Sequence, residues 1–180
     1  LLIDQDGCCS HHREHRGQAS RLPGFAARQP VRIVLDGRLR LDPGSRLART
    51  ARATPTWVVT APNADTNKTG ALAALGVEIV ACAADNEGWP DVSAALAELG
   101  RRGLTRVLVE GGGTVAAAFL KADAVDRIAW FQAPAVLGGD GRPAVGPLAL
   151  PSIAAMPRFE PMARQAAGED GLVTLRRIDQ

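Results

Sequence analysis

Residues 107–120 read VLVEGGGTVAAAFL. An apolar run ends in Glu110, three glycines follow, and Thr114 opens a run of small helix formers. Read as strand, turn and helix, this stretch places free backbone N–H groups at a helix N-terminus. Those groups and the helix dipole favour an anion, above all a phosphate. Glycine lets a ligand approach the backbone closely and tolerates positive φ. Ala116, Ala117 and Ala118 let the first helical turns pack tightly. In open α/β sheets ligands sit beyond the carboxyl ends of the strands, where Glu110 and the end of the earlier run VLD both fall if the strands are parallel. An ordinary strand-to-helix turn also uses glycine, so the residues alone leave both readings open. The stretch is not G-x-G-x-x-G and lacks an acid about twenty residues on; no Gly-Lys-Ser/Thr makes it a P-loop.

The elements that must position this turn follow from periodicity. VRIVLD (31–36), TWVVT (56–60), VEIVAC (77–82) and TRVLVE (105–110) are short runs rich in β-branched residues and bounded by turn signals. They predict four buried strands. Asp-Pro-Gly at 42–44 predicts a turn. A weak helical pattern spans 68–76 and stops at Gly76. Asp91 suits the N-cap of a helix through VSAALAELGRRG, with Val92, Leu96 and Leu99 on one face. Residues 114–124 predict a helix and 126–138 a fifth strand with its exit. The runs 158–166 and 171–178 predict a closing hairpin about Gly168–Gly171. Strands alternating with helices predict an α/β domain with a mixed, mostly parallel sheet and an antiparallel hairpin at its C-terminal edge.

The totals exclude several classes. The chain has 180 residues, enough for one domain with a core. Lys and Arg number 21 against 19 Asp and Glu, a net charge of +2, so nothing points to nucleic acid. No apolar run reaches membrane-spanning length and no signal peptide opens the sequence, which makes the cytoplasm the default compartment. Cys8, Cys9 and Cys82 form no disulfide framework.

Residues 1–27 are polar, without sustained period, and are set apart as an atypical segment ahead of a domain over 28–180. Their CCSHHREH tract contains Cys8, Cys9, His11, His12 and His15, with His11 and His15 four apart. It lacks paired C-x-x-C spacing, and no metal site is expected. Cys82 reads as a core thiol. Trp57, Trp89 and Trp130 read as packing residues, and Asp126 as a turn or ion-pair residue.

QPVRIVLDGRLRLDPGSRL, followed by GLTRVLVEGGGTVAAAFLKADAVDRIAWFQAPAVLGGDGRP, resembles the reductase domain of the bifunctional riboflavin-biosynthesis deaminase/reductase. The likeness runs from about Arg28 to Leu148. Its most specific part is the pairing of VEGG-x-T with a downstream AP-x-x-LGG. The resemblance implies a dihydrofolate-reductase-like three-layer fold, a central mixed sheet flanked by helices, and a homodimer. It implies NADPH as cofactor and reduction of the ribosyl group of 5-amino-6-(5-phosphoribosylamino)uracil to ribityl. The cofactor then carries the hard chemistry, which accounts for a sequence with no Ser-His-Asp or Cys-His constellation.

Carried over residue by residue, the nucleotide-binding turn falls on Gly112, Gly113, Thr114, Val115, Ala116, Ala117 and Ala118. The family often has proline at Gly113. Gly37 matches a cofactor-contacting position that is often serine. Glu110 matches a substrate-contacting acid, and Arg21, in SRLPG, a substrate-contacting arginine suited to phosphate. Arg38 and Arg40 are placed to meet the 2′-phosphate of NADPH. The family's earlier strands, with SLDG and DDP-x-LT-x-R, have no counterpart before Arg21, and the zinc deaminase half has none at all. The sequence therefore predicts an N-terminally shortened member with weak or lost activity. Two alternatives stand beside the reductase. One is an inactive member that keeps a nucleotide-binding or dimerisation surface. The other is a related reductase acting on a different pterin- or pyrimidine-like substrate.

Overall fold

The computed structural model describes residues 30–178. The chain divides into two compact units, Leu1–Gly112 and Gly113–Gln180. The first contains β1 (Arg32–Leu35), α1 (Arg46–Arg49), β2 (Thr56–Thr60), α2 (Thr66–Ala74), β3 (Glu78–Ala81) and α3 (Val92–Arg101). The second contains α4 (Gly113–Lys121), β4 (Arg127–Gln132), β5 (Phe159–Ala167) and β6 (Asp170–Arg177).

In the first unit β1, β2 and β3 form a parallel sheet in that order, with Leu35 opposite Val59 and Thr60 opposite Ala81. Parallel strands joined by helical crossovers are covered on both faces, so their residues are apolar in continuous runs. Ile33, Val34, Val58, Val59 and Val80 are all buried. Val34 and Val58 pack with Leu39, Leu41, Ala48, Ala51, Leu72 and Val77. Each such side chain contributes about 1.5–3 kcal/mol when withdrawn from water. Arg32 ties the start of β1 to the end of α1: its guanidinium donates to Thr50 Oγ1 at 2.9 Å and to the Thr54 carbonyl at 2.8 Å.

The helix ends follow local rules. Ser45, Asp65 and Asp91 each accept first-turn amides of α1, α2 and α3. Gly76 and Gly103 adopt φ of 89° and 88° just past α2 and α3, and Val77 and Leu104 donate back to Leu72 and Leu99. That is the Schellman closure, for which glycine costs least. At the end of α4 the same closure uses Asp123 at φ 60°, with Ala124 donating to Phe119. The Arg177 guanidinium holds that Asp123, pairing with its carboxylate and donating to its carbonyl at 2.6 Å.

The predicted hairpin is present: β5 and β6 pair antiparallel, and β6 also pairs with β4, giving the order β4-β6-β5. The parallel and antiparallel strands of the α/β fold are thus a three-stranded sheet in each unit. Residues 105–110, expected as a fourth strand, form no ladder among the described residues beyond a single bridging position at Val109. Leu108 there is 60% exposed. A β-branched run becomes a strand only where a neighbour accepts its hydrogen bonds, and periodicity does not report that neighbour. The four-residue α1 was not expected; the Asp42 turn and the Ser45 cap nucleate it where no apolar period is visible.

Candidate functional site

The polar end of the parallel sheet is where β1 and β2 stop. Asp36, one residue past β1, is 1% exposed. Its N–H continues the ladder to the Val59 carbonyl, its carbonyl accepts from Leu39 at 3.2 Å, and its Oδ2 accepts from the Leu41 N–H at 2.8 Å. Asp36 Oδ1 and Thr60 Oγ1, at the ends of the two paired strands, are buried without a hydrogen-bond partner among the described residues. Such groups are uncommon in folded proteins and mark this end of the sheet.

The loop that Asp36 closes alternates in character. Leu39 and Leu41 are buried, at 3% and 6%, while Arg38 and Arg40 are exposed. Leu39 holds φ 48°, a region that side chains other than glycine seldom adopt. The alternation sends both guanidinium groups the same way. They meet on Trp89, with Arg38 Cζ 5.0 Å and Arg40 Cζ 5.4 Å from the ring centre.

Trp89 lies on a tight loop between β3 and α3. Asp91 N–H donates to the Ala83 carbonyl, and Ala84 bridges to Pro90. Asp85 Oδ1 accepts from the Glu87 and Trp89 N–H groups, each at 2.9 Å. This loop comes down directly on Gly37, where a Cβ would stand 2.7 Å from the Gly88 carbonyl oxygen and 3.0 Å from Pro90 Cδ. Beside Arg40 opens a groove of about 540 Å³, lined also by Leu39, Pro43, Asn67, Lys68 and Ala71.

In the second unit the glycine turn feeds α4. No acidic residue occupies its first turn, and Gly112, which precedes it, has no side chain to cap it. Gly113 is packed rather than open. Its carbonyl accepts from the Gly146 N–H at 2.8 Å, and a Cβ would lie 2.6 Å from the Pro143 carbonyl oxygen. Ala117 and Phe119 are buried, Val115, Ala116 and Ala118 half-buried, and Thr114 exposed.

The residues singled out in the sequence therefore fall in several places. Gly113, Thr114, Val115, Ala116, Ala117 and Ala118 share the first turns of α4. Glu110 is exposed near the end of the first unit and Gly112 closes that unit. Gly37 follows Asp36 at the end of β1. Arg21 and the Cys8–His15 tract lie outside the described residues. Among the described residues no cluster of three His, Cys, Asp or Glu side chains is arranged to hold a metal. No described helix is long and apolar enough to cross a membrane. Trp89 was read as packing; the alternation Arg-Leu-Arg-Leu was the sequence signal that two cations would reach one face, but nothing named their platform. Trp57 has a similar neighbour in Arg102, 5.5 Å from its ring centre. Cys82 is buried as expected; burial, then the nearby Asp91 and Glu98 charges, push its thiol pKa up.

The family model of the RibD C-terminal domain matches residues 4–173. The chain belongs to this family. The match to the RibD C-terminal domain reaches into residues 1–27, which composition had set apart. The riboflavin biosynthesis protein RibD of Bacillus amyloliquefaciens is 38% identical over 125 residues, 69% of this chain and 32% of its own length. An Archaeoglobus fulgidus 2,5-diamino-6-ribosylamino-4(3H)-pyrimidinone 5′-phosphate reductase is 30% identical over 137 residues, 74% of this chain and 56% of its own. The chain thus spans about a third of such a RibD protein and about half of such a reductase. Among solved structures, an Acinetobacter baumannii RibD aligns with TM-score 0.67 and 22% identity over 83% of this chain and 38% of that one. A pyrimidine reductase-like protein of Corynebacterium diphtheriae aligns with TM-score 0.68 and 20% identity over 84% of this chain and 62% of that one. At those identities the structures speak for the α/β reductase-domain fold.

Proposed function

We propose that this chain is an NADPH-dependent reductase of riboflavin biosynthesis, reducing the ribosyl group of 5-amino-6-(5-phosphoribosylamino)uracil to ribityl. The observation that carries the reading is the start of α4. Every other α-helix of the described residues has a Ser or Asp cap, whereas α4 follows Gly112, which has no side chain to cap it, and has no acidic residue in its first turn. A cofactor phosphate is the acceptor such a terminus suits. The curated relatives bearing reductase names support the same reading.

Gly112, Gly113, Thr114, Val115, Ala116, Ala117 and Ala118 would hold the cofactor, with the backbone at Gly37 contributing from the end of β1. When bound, NADPH supplies the hydride for C1′ of the ring-opened sugar. Glu110 accepts hydrogen bonds from the substrate and fixes its orientation, and Arg21 holds its phosphate. The protein's contribution is positioning and exclusion of water, since no side-chain nucleophile is required.

A homodimer working in the cytoplasm completes the proposal. Phe131, on the edge strand β4, and Val136, Leu137 and Ile153 are each at least 60% exposed, as an apolar contact surface would be before its partner covers it. Sedimentation of the purified chain checks the dimer.

The function is tested by NADPH oxidation in the presence of the phosphoribosylaminouracil. Substrate-dependent turnover is expected, with Glu110→Gln lowering kcat/KM for the pyrimidine while leaving NADPH affinity within twofold. A folded chain that binds NADPH but never turns over would favour the inactive-member reading. A folded chain that binds no nucleotide would remove the reductase and leave the inactive member with a dimerisation surface alone.

A further inference from the structure

We propose that Asp140–Gly141 is a modification site, where the chain forms an isoaspartyl bond that loosens the start of α4. Three Asp-Gly pairs lie among the described residues, at 36–37, 140–141 and 170–171. The reaction needs the glycine nitrogen to swing onto the aspartate Cγ, and glycine has no Cβ to block that approach. The fold opposes it at two of the three pairs. Asp36 is 1% exposed and its Oδ2 accepts from the Leu41 N–H, while the Gly88 carbonyl and Pro90 close over Gly37. Gly171 stands in the middle strand β6, opposite Gln132 of β4 and Ala166 of β5, so ladders on both sides fix its backbone.

The third pair is held by neither device. Asp140 is exposed, a turn at 139–140 runs into a bend at Gly141, and neither residue has a hydrogen bond or ion pair among the described residues. Gly138 and Gly139, just before it, have open space where a Cβ would stand. The neighbour at Gly141 is the Leu137 side chain, itself 78% exposed and able to move aside. The chemistry needs only water. The Gly141 nitrogen bonds to Asp140 Cγ, a carboxyl oxygen leaves as water, and a succinimide ring closes. Water then adds to either ring carbonyl. Breaking the bond to Cγ restores aspartate. Breaking the bond to the main-chain carbonyl leaves the chain running through Cβ and Cγ, with a free carboxylate on Cα. One water leaves and one returns, and nothing is oxidised or reduced.

The product carries an extra methylene in its main chain, just ahead of Pro143. That segment clamps the first turn of α4: a Cβ at Gly113 would lie 2.6 Å from the Pro143 carbonyl oxygen, and the Gly146 N–H donates to the Gly113 carbonyl at 2.8 Å. A longer chain at 140 shifts the clamp. On the reductase reading the turn it releases is the cofactor turn; the modification itself does not depend on that reading.

The full chain is kept at neutral pH and body temperature for several weeks and then digested with trypsin, which puts the three pairs on separate peptides, 33–38, 128–158 and 165–176. Isoaspartate is read in each by electron-transfer fragmentation and by methyl transfer from a protein-isoaspartate methyltransferase. It is expected to accumulate at Asp140 at least tenfold faster than at Asp36 or Asp170. Gly141→Ala is expected to slow it tenfold or more, and Asp140→Glu to abolish it in peptide 128–158. Equal rates at the three pairs, or no product at Asp140, overturn the site. In urea the three rates are expected to converge; a preference that persists there belongs to local sequence and overturns the structural argument. Amide exchange at Gly146, followed by NMR, is expected to rise at least tenfold in converted protein and to stay at its starting value in aged Asp140→Glu. No rise in converted protein overturns the link to α4. A chain that converts at Asp140 and frees Gly146 yet reduces no pyrimidine keeps this inference and loses the reductase. Turnover by a chain that never converts at Asp140 does the reverse.

Discussion

Asp36 Oδ2 accepts the backbone N–H of Leu41 at 2.8 Å, and both partners are buried. One side chain thereby closes the loop that leaves β1. Removing it strands a buried donor, which costs about 1–3 kcal/mol. Asp36→Ala is expected to lose that amount in urea unfolding. Asp36→Asn keeps an acceptor oxygen and is expected to lose less than half as much. Equal losses would mean that the negative charge, not the hydrogen bond, holds the loop.

Two glycines make opposite predictions. Gly113→Ala drives a methyl group to 2.6 Å from the Pro143 carbonyl oxygen, and overpacking of this kind costs about 1–3 kcal/mol. Gly70, exposed within α2, has nothing within 4 Å of a Cβ. Gly70→Ala is expected to stabilise by about 0.5–1 kcal/mol, since alanine loses less backbone freedom on folding. Thermal midpoints of the two variants should move in opposite directions.

Asp123 combines a left-handed backbone, φ 60°, with a contact to Arg177. Asp123→Gly relieves the backbone while losing an exposed ion pair worth less than about 1 kcal/mol. It is expected to unfold close to wild type. Asp123→Ala loses the pair and keeps the strain, and should fall about 1 kcal/mol or more below the glycine variant. Identical stabilities in the two would show that the backbone conformation at 123 costs nothing.

The Cys82 thiol has a raised pKa, through burial first and then the Asp91 and Glu98 charges. The unfolded chain therefore ionises at lower pH than the folded one. The stabilisation is fully present below the unfolded thiol pKa and is lost as pH rises through the folded one. Urea midpoints measured from neutral to strongly alkaline pH should fall less in Cys82→Ala than in wild type, once each is referred to its neutral value. Parallel curves would assign the alkaline loss to other groups.

The parallel half of the fold was legible because β1 and β2 bury residues on both faces and read as apolar runs, and β3 keeps the same β-branched texture around the buried Val80. Asp91 as a cap and Gly76 and Gly103 as stops were legible for the same local reason: each satisfies hydrogen bonds within a few residues. Residues 105–110 had the same apolar texture yet make no ladder among the described residues beyond the bridging position at Val109, because pairing depends on a distant neighbour. At the site, the glycine turn was visible as a pattern, but the close approach of Gly113 to Pro143 was not, since thirty positions separate them in the sequence. Arg38 and Arg40 were visible as charges. Their meeting on Trp89 was set by a loop whose Asx-type turn at Asp85 leaves no periodic trace.

The alternation Arg38-Leu39-Arg40-Leu41 has a consequence for how this segment can change over generations. Its content is forgiving, because either arginine is exposed and replaceable without disturbing the leucines beneath. Its length is not. Deleting or inserting one codon between Asp36 and Leu41 would exchange the two sets, turning both cations inward and both leucines out. For folding, positions 38 and 40 are therefore expected to accept substitution while the residue count of the segment stays fixed.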